Sequence, residues 1–146
     1  MINDFRGKRI LVMGLGLHGG GVEAAKFLAQ CGAEVTVTDL RSRKVLGPSV
    51  ALLQKIKNIK YVLGRHRRKD FLETDLILKN PGVPPNTPYL ALAHRNGIPI
   101  TTDVGIFFKY FPGKIIGVTG TRGKSTTAFL IFKFGAKKCV FVRQHT

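Results

Sequence analysis

Cysteine is scarce in this 146-residue chain: only Cys31 and Cys139 occur, far apart and outside any C-x-x-C pair. Neither a disulfide framework nor a zinc site is therefore indicated, and both side chains read as reduced thiols. Long apolar runs are missing too. No stretch approaches the roughly 20 residues that a membrane span needs, and no charged segment leads into an apolar one as in a secretory signal. The expectation is a cytoplasmic protein with no membrane contact. Acidic residues are few, 8 against 24 basic ones for a net charge of +16, and none follows Asp103.

The basic excess clusters at Arg41, Arg43 and Lys44, at Lys55, Lys57 and Lys60, and from Arg65 to Lys69. Such a surface attracts any polyanion. Dedicated nucleic-acid binding is not expected, because no recognition-helix pattern, zinc-finger spacing or RNP-like aromatic strand accompanies the charge, and basic charge alone gives only salt-sensitive attraction. An apolar content of 44% excludes disorder and suffices for one good core.

Two glycine-bearing turns carry the chemistry. Arg9 to Met13 reads as a short strand, followed by Gly14-Leu15-Gly16-Leu17-His18-Gly19, a helix over Val22 to Gln30, and a second strand, Glu34 to Thr38, that ends at Asp39. This is G-x-G-x-x-G in its proper context, a Rossmann-type βαβ unit with a nucleotide at the C-terminal edge of the sheet. Which nucleotide is open at this point. NAD would place its ribose on Asp39, and Arg41 and Arg43 suit a 2′-phosphate.

The second turn lies between an apolar run, Ile115 to Val118, read as a buried strand, and a helix-like segment ending near Phe134. Gly120, Thr121, Arg122 and Gly123 lead into Lys124, Ser125 and Thr126. Backbone N–H groups of such a loop converge on one spot at a helix N-terminus and hold a polyphosphate. Lys124 adds a cation for the β/γ oxygens, and the Ser125 hydroxyl is placed to ligate Mg²⁺.

Between the two turns the pattern continues as a basic helix over Pro48 to Lys57, a strand over Lys60 to Leu63, a solvated loop over Arg65 to Lys69, a strand over Asp75 to Lys79, and a rigid turn beginning Asn80-Pro81-Gly82-Val83. A helix over Tyr89 to Asn96 stops at Gly97 and makes His94 a surface residue, Ile98 to Ile100 is a short fifth strand, and Lys137 to Val142 a further candidate.

The sequence T-G-T-R-G-K-S-T after an apolar run resembles the ATP loop of the Mur ligases, with Arg122 where that family usually has Asn. The Gly14 to Gly19 turn and Asp39-Leu40-Arg41 look like the elements that hold the uridine end of the UDP-sugar in the D-glutamate-adding branch of that family, and Asn80-Pro81-Gly82-Val83 is similar to its diphosphate-contacting turn. The resemblance implies substrate contacts from Gly14, Gly16, Leu17, His18, Asp39, Leu40, Arg41, Asn80, Pro81 and Gly82, ATP and Mg²⁺ as cofactors, and Lys124 as the catalytic group that steadies the transferred phosphoryl. It also implies UDP-N-acetylmuramoyl-L-alanine as substrate, D-glutamate as the incoming amino acid of the full enzyme, and a monomer. Thr102 to Phe107 resembles the family's hinge, with Gly105 in place of an acid. The expected organisation is α/β: a Rossmann-like UDP-substrate domain over residues 1–113, then the truncated start of an ATP-binding central domain over 114–146. Such a chain is expected to be inactive alone. Two other readings remain open here, an NAD(P)-binding oxidoreductase domain and a non-catalytic nucleotide or nucleic-acid binder.

Overall fold

Five short runs rich in Val, Ile and Leu form a parallel sheet in the computed structural model, which describes residues 3–135. The strands are β1 (Arg9–Met13), β2 (Glu34–Asp39), β3 (Ile59–Leu63), β4 (Leu76–Lys79) and β5 (Ile100–Thr101), in the order β3-β2-β1-β4-β5. Every neighbouring pair is parallel: Val12 is opposite Val37 on one side and Leu78 on the other. A parallel sheet is buried on both faces, which is why β1 has no polar residue after Arg9 and is buried from Ile10 onward.

The helices follow from the same requirement. α1 (Gly20–Gln30) packs on β1 and β2 and against α2 (Gly47–Leu53). On the other face, Leu11 and Met13 of β1 and Ile77 of β4 form one cluster with Phe71 of α3 (Arg68–Leu72) and with Leu90 and Ala93 of α4 (Pro88–Arg95). Full burial of side chains of this size stabilises by about 1.5–3 kcal/mol each. Thr87 caps α4 by accepting from the Leu90 N–H at 3.2 Å, and Pro88 occupies the first turn, where a missing N–H costs nothing.

Four local expectations are corrected. The helix expected to reach Lys57 stops at Leu53, because the chain turns there, with Ile56 N–H donating to Leu53 O, to bring Asn58 under α1. Asn58 then donates to the carbonyls of both Ala29 and Ala33. The fifth strand covers only Ile100 and Thr101: Pro99 has no N–H to give, so its carbonyl accepts from Ile77 and the ladder begins after it. Arg65 to Lys69 is not simply a solvated loop, since α3 starts at Arg68, Arg67 pairs with Asp70 at 2.8 Å, and His66 is half-buried. Ile115 to Val118 is not a strand. Ile115 makes one isolated bridge, since an extended run without a continuous ladder leaves its backbone groups to other partners. The candidate strand over Lys137 to Val142, and Cys139, lie outside the described residues.

The chain divides into two compact units, one up to Asp103 and one from Val104. The first holds the sheet. The second has most of α5 (Asp103–Tyr110), the Gly120 to Gly123 turn and α6 (Lys124–Gly135). Gly105 is accommodated within α5. In α6, Phe129, Leu130, Phe132 and Phe134 are exposed among the described residues.

Candidate functional site

The C-terminal ends of β1, β2 and β4 converge where the strand order reverses, and loops diverging from such a switch point leave a crevice. A cleft of about 410 Å³ lies there, lined by the turns after β1, β2, β3 and β4. Of the ten residues expected to bind substrate, Gly14, Gly16, Leu17, His18, Asp39, Leu40, Arg41, Asn80 and Gly82 line it and Pro81 does not.

Asp39 ties two of these turns together. One carboxylate oxygen accepts from the Gly16 N–H at 3.1 Å and the other from the Arg41 N–H at 2.9 Å, and the residue is only 5% exposed. A carboxylate accepts four hydrogen bonds, so each oxygen retains a lone pair for a ligand. Buried Ser49 of α2 donates to Gly16 O at 2.8 Å and holds the glycine turn from its other side. The β4 turn is braced as firmly: Asn80 Oδ1 accepts from Gly82 N–H at 3.0 Å, Asn80 N–H donates to Met13 O, and the Lys79 ammonium donates to Val83 O at 2.9 Å. Gly14, at φ +91°, sits so close to this turn that a Cβ would meet Val83 Cγ2 at 2.8 Å. Leu17, His18, Leu40 and Arg41 project at the open side, with Leu40 66% exposed. The site is a rigid backbone frame with free side chains above it.

His66, Thr38 and Thr87 belong to the same neighbourhood, and the sequence reading passed over them. His66 and Thr87 line the cleft, and Thr38 Oγ1 lies 2.7 Å from His66 Nδ1. The available signal was positional: Gly64 to His66 follow the C-terminal end of β3, and every βα turn of a parallel sheet ends on the ligand edge.

The second unit carries the other expected site. Gly120 and Gly123 have φ of +144° and +76°, conformations that suit glycine, and Thr127 N–H donates to Gly123 O at 2.9 Å to open α6. Lys124 Nζ donates to the Gly120 carbonyl, while Thr121, Arg122, Ser125 and Thr126 are exposed. Backbone donors at the start of a 12-residue helix, a lysine folded over the turn and two free hydroxyls fit a polyphosphate. The metal fit is thinner, because Ser125 is accompanied by no carboxylate after Asp103. Among the described residues no group of three or more His, Cys, Asp or Glu gathers as a metal centre.

A larger cavity of about 470 Å³ opens beside Arg9 and Glu34, the first residues of β1 and β2, at the opposite edge of the sheet. Two of its arginines are held in ion pairs: Arg9 binds Asp75, just outside the lining, at 3.0 Å and draws its carboxyl below the usual range, and Arg67 binds Asp70 at 2.8 Å. We place the site at the smaller cleft, where four turns converge and exposed side chains such as His18 and Arg41 border the opening.

The fold is that of an α/β domain of Rossmann type, with its cleft at the switch point of the sheet. Residues 8–102 match the family model of the Mur ligase MurD-like N-terminal domain, and the chain belongs to that family. It is 51% identical over 125 residues to the UDP-N-acetylmuramoylalanine–D-glutamate ligase of Roseiflexus sp. (strain RS-1), covering 86% of this chain and 27% of that protein. The ligase of the same name from Borreliella burgdorferi (strain ZS7) is 41% identical over 134 residues, covering 91% and 29%. Among solved structures, the UDP-N-acetylmuramate:L-alanyl-gamma-D-glutamyl-meso-diaminopimelate ligase from Neisseria meningitides superposes with a TM-score of 0.60 at 20% identity, over 86% of this chain and 38% of that one, a likeness of fold. The chain spans under a third of the length of the curated relatives and corresponds to the N-terminal part of such a ligase.

Proposed function

We propose that the chain supplies the UDP-substrate domain, residues 1–113, and the opening of the ATP-binding domain, residues 114–146, of a ligase that joins D-glutamate to UDP-N-acetylmuramoyl-L-alanine in peptidoglycan synthesis. The observation that carries the reading is the convergence of the Gly14 to His18, Asp39 to Arg41 and Asn80 to Gly82 turns on one cleft, in a chain half-identical to a ligase of that name. Asp39 and Arg41 receive the uridine end, and the glycine turn and the Asn80 turn flank the diphosphate. No helix among the described residues is long and apolar enough to cross a membrane; the proposed enzyme is cytoplasmic and monomeric.

In the full enzyme bound MgATP supplies the phosphoryl group that activates the substrate carboxylate. Toward that group, Lys124 neutralises oxygens of the transferred phosphoryl, the turn from Gly120 to Gly123 orients the phosphates, and Ser125 offers a hydroxyl to the metal. The remainder of a central domain would cover the exposed Phe129, Leu130, Phe132 and Phe134 of α6, since a contiguous group of large apolar side chains marks a contact surface.

Two outcomes test this. Arg41→Ala should weaken uridine diphosphate binding by about 1–2 kcal/mol in a calorimetric titration, the size of one charge-assisted or stacking contact. An unchanged affinity returns Arg41 to the solvated surface. These 146 residues alone should release no phosphate from MgATP with UDP-N-acetylmuramoyl-L-alanine and D-glutamate, because positioning and electrostatic stabilisation supply most of the rate in phosphoryl transfer and both need groups beyond this segment. Substrate-dependent release that disappears in Lys124→Ala would show that the segment is catalytically complete.

A further inference from the structure

The turn after β3 places one imidazole in the cleft and fixes it on three sides. His66 Nδ1 lies 2.7 Å from Thr38 Oγ1, the Phe71 and Tyr89 rings meet the imidazole edge to face at 5.7 and 5.1 Å, and Tyr89 O–H donates to the His66 carbonyl at 3.4 Å. Thr38, fully buried, also reaches Arg65 O at 3.3 Å. One hydroxyl has one proton. The arrangement that turns both contacts into hydrogen bonds has Thr38 donating to Arg65 O and His66 Nδ1–H donating to Thr38 Oγ1. In that tautomer the neutral ring presents a lone pair at Nε2, which has no hydrogen-bond partner among the described residues. Burial holds the imidazole below its usual pKa, and the Asp39 carboxylate opposes this only in part, so the ring is neutral at pH 7.5.

We propose that His66 Nε2 accepts a hydrogen bond from the nucleoside half of the ligand, from the imide N–H of a uracil base or from a ribose hydroxyl, and so selects the nucleotide. The proposal rests on the uridine reading above and adds a residue to it. An acceptor fixed in the wall of a cleft rewards a ligand N–H or O–H and repels a ligand lone pair, so a cytosine ring, which carries an acceptor where uracil carries N–H, is disfavoured.

The test is a calorimetric titration of the whole 146-residue chain, its His66→Phe variant, which keeps an aromatic ring and removes both nitrogens, and its His66→Gln variant, whose amide oxygen accepts without titrating. At pH 7.5, His66→Phe should lose roughly five- to tenfold in UDP affinity, the effect of one hydrogen bond, with little change in the melting temperature of the free chain. His66→Gln should recover part of the loss. N3-methyl-UDP and 2′- and 3′-deoxy-UDP separate the sources. Whichever analogue lacks the relevant donor should bind weakly to the native chain and gain nothing further from His66→Phe, because the two changes remove one interaction.

Acidification supplies a readout that packing would not move. The charged or titratable groups facing His66 are Asp39 from β2 and the Tyr89 phenol from α4, while α3 presents Phe71. Protonating Nε2 destroys the acceptor, so UDP affinity of the native chain should hold down to about pH 6.5 and then fall, as the pH drops through the lowered pKa, more than that of His66→Gln. Equal UDP affinity of native and His66→Phe chains overturns the proposal. So does native affinity that rises on acidification, which would mark an imidazolium on the diphosphate. If His66→Phe does not fold, the pH series and the analogues on the native chain decide. A native chain that binds no uridine nucleotide removes the uridine reading itself, an outcome distinct from one in which UDP binds and His66 has no effect.

Discussion

Replacing Gly21 by alanine is expected to cost about 3 kcal/mol or more, a large share of the 5–15 kcal/mol typical of a whole domain. Gly21 is buried in the first turn of α1, where a Cβ would lie 2.4 Å from Leu15 O and 2.5 Å from Gly14 O. Both atoms are backbone, so no rotamer change relieves the clash. Either the helix lifts off the glycine turn or the turn opens, and in both cases the Gly16 N–H moves away from Asp39. Gly20→Ala is the matched control: its Cβ would meet only Asn80 Nδ2, at an ordinary 3.8 Å, and alanine is favoured over glycine in a helix by up to about 1 kcal/mol. Urea denaturation should show Gly21→Ala largely unfolded or strongly destabilised and Gly20→Ala at or above native stability. Equal midpoints for the two would contradict the close approach of α1 to the turn.

Asp39→Ala should lower both stability and ligand affinity. The substitution removes the acceptor of the Gly16 and Arg41 N–H groups, at up to about 1–3 kcal/mol for the half-buried Gly16 N–H and less for that of the exposed Arg41, which water can reach. Asp39→Asn keeps one acceptor oxygen but turns an NH₂ toward the other N–H, so its loss should be intermediate. Because those two bonds position the first two ligand turns, uridine affinity should fall by at least about tenfold in both variants. Thermal melting and titration measured together check this. A stable Asp39→Ala chain with native affinity would mean that the turns hold themselves.

The first βαβ unit was legible because each step leaves a local mark: an apolar run, glycines where the chain must turn, an amphipathic helix, an acid at the next strand's end. The Asn80 turn was legible from its proline and glycine. His66 was hidden among Arg65, Arg67 and Arg68, whose charge says solvent, while its burial comes from Phe71 and Tyr89, supplied by α3 and α4. Gly21 could be seen as a glycine but not as an obligatory one, since the atoms it must avoid are carbonyls of a turn several residues earlier. Ile115 to Val118 has the composition of a strand, but composition cannot supply the neighbouring ladder that makes one.

A uridine site and a dinucleotide site differ most directly in which nucleotide the cleft accepts. Titrating the 146-residue chain in parallel with UDP-N-acetylmuramoyl-L-alanine, UDP and NADPH at one ionic strength measures this, and the shared salt condition keeps the general attraction of a +16 chain for anions from deciding the order. The expected ranking is the UDP-sugar first, UDP second and NADPH last, with the UDP preference reduced in Arg41→Ala. Tighter binding of NADPH than of either uridine ligand would contradict it and return the glycine turn and Asp39 to dinucleotide binding.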